Sequence, residues 1–273
     1  MKPRILVYTR FTEISRNALR YAAEMALDRG YDLLLVHNYD LPLSYAADPI
    51  AFASIHPDVA RAEAQLKEEA DRAAEAFPGL QIAYRLTYGS KPDAVGELLS
   101  ESGFRFIVSG APESQGEFWG WNDEFVDLIT GMPIPVLIIP QRVSYARIRH
   151  IAFASDYLRP MHAKQTGFIR QLLQEQDTVL HIIHVSVPGR QDQAQRLQHK
   201  SALEEQLKEF SPIYVSIENN DVVASIITYI QQHHIELLVV IPHRHGIWHN
   251  IFSQRHTRRL TRINYLPIIA LQD

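Results

Sequence analysis

The chain carries thirteen histidines, and their distribution is uneven. His37 and His56 stand before residue 150, and all the others run from His150 onward. His243, His245, His249 and His256 share one segment with Arg244, Gly246 and Arg255. A His-x-His pair can offer two imidazoles to one metal, and further imidazoles would complete a tetrahedral shell. Ligating imidazoles need an acceptor behind them, yet no Asp or Glu lies between Leu237 and Gln272. The pattern favours a solvated polar loop over a metal centre. Two further readings stay open: proton sensing, because imidazole titrates near neutrality, and anion sensing, because His243, Arg244, His245, Arg255 and His256 can all donate to an anion.

Other chemistries find less support. Cysteine is absent, which removes disulfides, thiolate nucleophiles and Cys-ligated metals together. The chain has no Gly-x-Ser-x-Gly elbow, no His-Glu-x-x-His and no Walker loop, so no catalytic residue is assigned and an enzymatic role is not expected. Phe118, Trp119, Trp121 and Phe125 can stack a planar ligand, although burial against a sheet or a partner is the commoner use of such residues. The net charge of −4 recruits neither nucleic acid nor an anionic membrane. No apolar run approaches the ~18 residues of a spanning helix, and the start of the chain lacks a signal-peptide core. A cytoplasmic location is the expectation.

The elements that would position these residues form an internal repeat. Ile5–Arg10 recurs as Ile151–Asp156, Leu33–His37 as Leu180–His184, Phe106–Gly110 as Leu238–Pro242, and Pro135–Ile139 as Pro267–Leu271. The second copy is shorter by about one loop, a difference placed mainly in the Pro- and Ala-containing stretch Asp40–Pro57. Between the apolar runs lie segments with helical spacing, such as Ile14, Ala18, Tyr21, Ala22 and Met25. Apolar strands alternating with amphipathic helices predict an α/β fold: two tandem doubly wound domains, each an open parallel sheet with helices on both faces. Thr12 and Ser90 are placed as helix caps. The domains are expected at residues 1–142 and 147–273, with Gln141–Ala146 as a short polar linker.

Taken in order, Ile5-Leu-Val-Tyr-Thr, Leu33-Leu-Leu-Val-His, the turn Tyr88-Gly-Ser-Lys-Pro-Asp93 and the closing Pro135-Val-Leu-Ile-Ile resemble a universal stress protein domain. The second copy resembles a more divergent one, so the chain is similar to a tandem pair. The resemblance implies five strands per half and pairing of the halves about a pseudo-twofold axis through their final strands. It also implies that a nucleotide-binding member would carry Gly-x2-Gly-x9-Gly-Ser/Thr after the fourth strand, where glycines let backbone N–H groups reach phosphate. The first copy begins that pattern at Gly110 but then places Glu113, Asp123 and Glu124 in it, and carries Arg10 where the family has an adenine-contacting Asp. The second copy keeps the Asp as Asp156 and a Val after its second strand as Val185, while its loop from Pro242 to Thr257 retains only Gly246.

The leading expectation is therefore a non-catalytic stress-response protein with a degenerate nucleotide site, acting through partner or ligand binding. The alternatives are an adenine-nucleotide-binding regulator that uses the C-terminal domain alone, holding ATP or AMP through Asp156, Val185, His243, Arg244, His245, Gly246, Arg255 and His256, and an anion- or metal-sensing module at the His/Arg loop. No cofactor is firmly assigned. Domain pairing within the chain and a homodimer are the expected associations. The charges of two equivalent segments are opposite: Glu113, Glu117, Asp123, Glu124 and Asp127 in the first copy, Arg244, Arg255, Arg258, Arg259 and Arg262 in the second. If these segments meet, unlike charge would favour the tandem pairing.

Overall fold

A computed structural model describes residues 2–39, 49–101, 103–111, 129, 131–174, 178–188, 193–242 and 266–272. Two compact units divide the chain. In the first, strands β1 (Arg4–Tyr8), β2 (Asp32–Tyr39), β3 (Ile82–Tyr88), β4 (Phe104–Gly110) and β5 (Val136–Ile139) lie in the order β3-β2-β1-β4-β5, and every pair is parallel. Helices α1 (Glu13–Arg29), α2 (Pro49–Ala76) and α3 (Lys91–Leu99) make the crossovers. In the second, β6 (His150–Ala154), β7 (Val179–Ser186), β8 (Ile213–Glu218), β9 (Leu237–Val240) and β10 (Ile268–Ala270) repeat that order as β8-β7-β6-β9-β10, again parallel. Its described crossover helices are α4 (Ala163–Gln174), α5 (Gln193–Leu207) and α6 (Val222–Gln232). The expected α/β class, with five parallel strands in each half, is what forms.

The strands are buried because they are apolar at nearly every position. Ile5, Leu6 and Val7 are solvent-free, as are Leu35, Val36, Ile138 and Ile139; a parallel strand needs such a run because both its faces are covered. The covering is visible along β7. His181, Ile183 and Val185 meet α6, whereas His184 points the opposite way, toward Tyr157.

Helix ends follow local chemistry. The Thr12 hydroxyl accepts from Ser15 N–H while the Ser15 hydroxyl accepts from Thr12 N–H, a reciprocal cap on α1, and Gly30 closes that helix at φ 68°. Ser90 caps α3. Within the long excursion after β2 the reading was incomplete: α2 begins at Pro49 and runs through Pro57. A proline removes one donor without excluding a helix whose other residues favour one.

The stretch read as a linker is not a free tether. Asn17, on α1, donates from Nδ2 to the carbonyls of Pro140 (2.9 Å) and Val143 (3.0 Å), and Tyr145 donates from its hydroxyl to Asp28 at 2.7 Å. Tyr145 also packs edge-on against Tyr21, with ring centroids 5.3 Å apart. Residues 140–145 are thus strapped along α1 by donors and an aromatic contact that belong to the first unit. None of the helices in the described residues is long and apolar enough to cross a membrane.

Candidate functional site

The polar turn after β6 begins as the strand ladder ends. Ser155 N–H still donates to the Ile183 carbonyl at 2.9 Å, and the chain then turns sharply through Asp156 and Tyr157. Tyr157 has φ 55°, the left-handed region that a bulky residue occupies only when its surroundings hold it there. Those surroundings are explicit. The hydroxyl of Ser155 accepts from Tyr157 N–H (3.3 Å), and Oδ1 of Asp156 accepts from Leu158 N–H (3.0 Å). Three consecutive carbonyls are each engaged by a side chain: Ser155 by His184 Nδ1 at 2.9 Å, Asp156 by Arg196 Nη1 at 3.2 Å and Tyr157 by His199 Nδ1 at 2.8 Å. The Tyr157 ring lies over the His184 imidazole at 4.8 Å. Burial lowers the His184 pKa, assisted by the Arg196 and Lys200 charges and opposed by the Ser155 carbonyl and the Asp156 charge; toward that carbonyl Nδ1 is the donor.

This turn presents Asp156 to a recess lined by Ala154, Ser155, Ile183, Val185, Val222 and Ile226. The recess is shallow: below its open mouth it has room for about one water-sized group. It admits one polar group of a ligand rather than a whole nucleotide. Asp156 is 7% exposed, and its second oxygen, Oδ2, is buried with no hydrogen-bond partner among the described residues. A buried acceptor without a donor costs ~1–3 kcal/mol, and an N–H brought by a ligand would recover part of that.

The first unit repeats the turn with different polar groups. Phe11 stands at φ 60° over the His37 imidazole, with centroids 4.3 Å apart, His37 Nδ1 donates to the Thr9 carbonyl at 2.9 Å, and Phe11 N–H donates to the Thr9 hydroxyl at 3.1 Å. Two substitutions change the outcome. Arg10, exposed, stands in the place of Asp156. Asn38 stands in the place of Val185, and it is satisfied internally, donating to the Gly89 carbonyl (2.9 Å) and accepting from Thr87 (3.0 Å). The Thr9 hydroxyl donates to Glu69 at 3.1 Å, and burial raises the Glu69 pKa. At this turn of the first copy, Thr9, His37 and Asn38 are thus each tied to a partner among the described residues.

Of the residues singled out in the sequence, Asp156 and Val185 come together on the recess. His243, Arg244, His245, Gly246, Arg255 and His256 lie outside the described residues, as do Glu113, Trp119, Trp121, Asp123 and Glu124 and the two oppositely charged segments that contain them. Gly110 has a packing role: a Cβ there would come within 2.7 Å of Ile14 Cγ2 and 3.0 Å of its backbone. The duplicated aromatic–imidazole turn was missed. Its signal was present, because Thr9-x-Phe11 with His37 recurs in register as Ser155-x-Tyr157 with His184.

The model of the universal stress protein family matches residues 1–140. Among solved structures, a universal stress protein from Archaeoglobus fulgidus DSM 4304 is similar over 98% of this chain and 98% of its own, with TM-score 0.69 and 17% identity. A functionally unknown protein from Pseudomonas aeruginosa PAO1 is similar over 99% of this chain and 92% of its own, with TM-score 0.55 and 15% identity. At those identities the likeness is one of fold. No curated protein matches the chain.

Proposed function

The chain belongs to the universal stress protein family, and from that premise we propose that it is a non-catalytic stress-response protein whose ligand site is single, lies in the second unit, and takes the adenine edge of a nucleotide. The observation that carries this reading is the Asp156 carboxylate, buried on the wall of a mostly apolar recess with Oδ2 unpartnered among the described residues. Adenine suits it on two counts. Its exocyclic amine supplies one N–H to one free oxygen, and its flat apolar face can lie against the side chains of Val185, Val222 and Ile226 that line the recess. Guanine would present two adjacent donors and needs both carboxylate oxygens, one of which Leu158 N–H already occupies.

The same geometry limits the affinity. A hydrogen bond to a charged acceptor contributes ~1.5–3 kcal/mol, and the small recess adds modest apolar burial, so a Kd on the order of 0.1 mM is expected. Arg10 and Asn38, standing in the first unit where the second has Asp156 and Val185, support one site per chain instead of two. Calorimetric titration with ATP and with AMP tests this: one weak site is expected in the wild type and none in Asp156→Ala. Two equivalent sites with micromolar affinity, or a site that survives Asp156→Ala, would overturn the reading.

A further inference from the structure

Beneath the opposite end of α6 lies a second polar cluster, unconnected with the recess. His181, on β7, is 3% exposed. Its Nε2 lies 3.2 Å from Nδ1 of His150 on β6, and its Nδ1 lies 2.8 Å from the Tyr229 hydroxyl on α6. Tyr229 stacks on His233, one turn further along the helix, with centroids 4.0 Å apart and planes 23° from parallel, and the His233 ring lies 6.0 Å from that of His181. Three imidazoles and a phenol thus join two central strands to the C-terminal half of one helix. The first unit has no counterpart: Leu34 pairs with Leu6 where His181 pairs with Ala152, and Arg4 opens β1 where His150 opens β6.

The hydrogen-bond chain has a definite proton capacity. With all rings neutral, one proton serves each contact: Tyr229 to His181 and His181 to His150, or the reverse order. One added proton can be shared, because a doubly protonated His181 ring can donate to both neighbours. A second proton on the His150–His181 pair places two N–H groups against each other across 3.2 Å, and the contact has to open. The groups facing the pair from each described neighbour do not offset that charge. From α6 they are Tyr229 and His233, the latter a further base, and from β8 the register partner is the apolar Ile213. The Glu236 carboxylate, before β9, bonds through Oε2 to the backbone N–H of His150 and of Arg149, and no hydrogen bond from it to either imidazole is present among the described residues. Burial lowers the His181 pKa, and the His150 and His233 charges lower it further, in keeping with a cluster that resists protonation while closed.

We propose that His150, His181, Tyr229 and His233 form an acid-released latch that fastens the C-terminal half of α6 to strands β6 and β7. The latch holds while the cluster is neutral or shares one proton, and it lets go when acid delivers more. The proposal stands whether or not a nucleotide binds at Asp156, since it concerns the other end of the helix.

Hydrogen exchange of the amides of Tyr229–Gln232, corrected for the pH dependence of intrinsic exchange, reads the latch in the intact chain. If release takes up one proton, protection of these amides falls about tenfold per pH unit below the ordinary histidine pKa of about 6.5. His181→Leu, which installs the residue found at the register position of the first unit, abolishes that slope, and His150→Asn, at a half-buried position, does the same should the first variant fail to fold. In the wild type, imidazole resonances assigned to His181 titrate below 6.5. Protection that stays flat between pH 7.5 and 5 in the wild type, or an unchanged slope in the folded variants, overturns the proposal.

Discussion

Replacing Asp156 by Asn inverts the polarity of the recess while keeping its shape. Leu158 N–H needs an acceptor and holds Oδ1 at 3.0 Å, so the new amide must leave its carbonyl oxygen there and put its NH2 at the position of the unpartnered Oδ2. An acceptor becomes a donor at one atom. AMP, with an amine at position 6, then loses its partner, and IMP, with a carbonyl at that position, gains one. In the wild type the charged acceptor should favour AMP over IMP by ~1.5–3 kcal/mol, roughly 10- to 150-fold in Kd. In Asp156→Asn the preference should collapse by at least about tenfold and can reverse. Competition titrations with the two nucleotides, on protein whose thermal transition confirms that the variant is folded, give the ratio directly. An AMP-to-IMP ratio that does not move on substitution would refute the reasoning, because it would mean that position 6 of the purine does not meet this carboxylate.

Three further outcomes follow from contacts in the first unit. Asn17→Ala removes the side-chain donor to the Pro140 and Val143 carbonyls, of which Pro140 keeps Val143 N–H at 3.3 Å; at ~2 kcal/mol for that loss, the melting temperature should fall by roughly 4–8 °C, and a shift under 1 °C in calorimetry would show that the strap is not held by this residue. Gly110→Ala forces a methyl into the Ile14 backbone and should lower stability by ~1–3 kcal/mol in a denaturant titration without affecting nucleotide binding; intact stability with lost binding would restore Gly110 to a ligand role. Burial raises the Glu69 pKa, so the folded state holds this proton more tightly than the unfolded one, and stability drains away as pH rises from the ordinary carboxyl value through the folded pKa. Glu69→Gln should therefore gain on the wild type as pH rises through that window, and a melting-temperature difference that is constant with pH would contradict the assignment.

Much of the fold was legible because parallel strands advertise themselves. Runs such as Ile5–Val7 and Leu237–Val240 are apolar at every position, and the repeat set them in register before any contact was known. The start of α2 was harder, because Pro49 and Pro57 carry a local signal for irregular chain that the rest of the helix outweighs. The site was half legible. Asp156 and Val185 were placed by resemblance, and they do share one recess. What one residue type at one position could not reveal was the hydrogen-bond economy around it: that Leu158 N–H would occupy one carboxylate oxygen and leave the other free, or that Asn38 in the first unit would be bonded to Gly89 and Thr87. The aromatic residues at positive φ were missed for a related reason. A tyrosine or phenylalanine after a strand reads as core, and only the neighbouring imidazole, reached from the next strand, turns it into part of a turn.

Backbone chemical-shift mapping during titration of the labelled protein with AMP tests the central claim most directly, because it locates binding as well as detecting it. The account predicts saturable shifts at Ser155, Asp156, Tyr157, Val185, Val222 and Ile226, with none at their first-unit counterparts Thr9, Arg10, Phe11 and Asn38. Shifts of equal size at both turns, or shifts confined to the first, would contradict it.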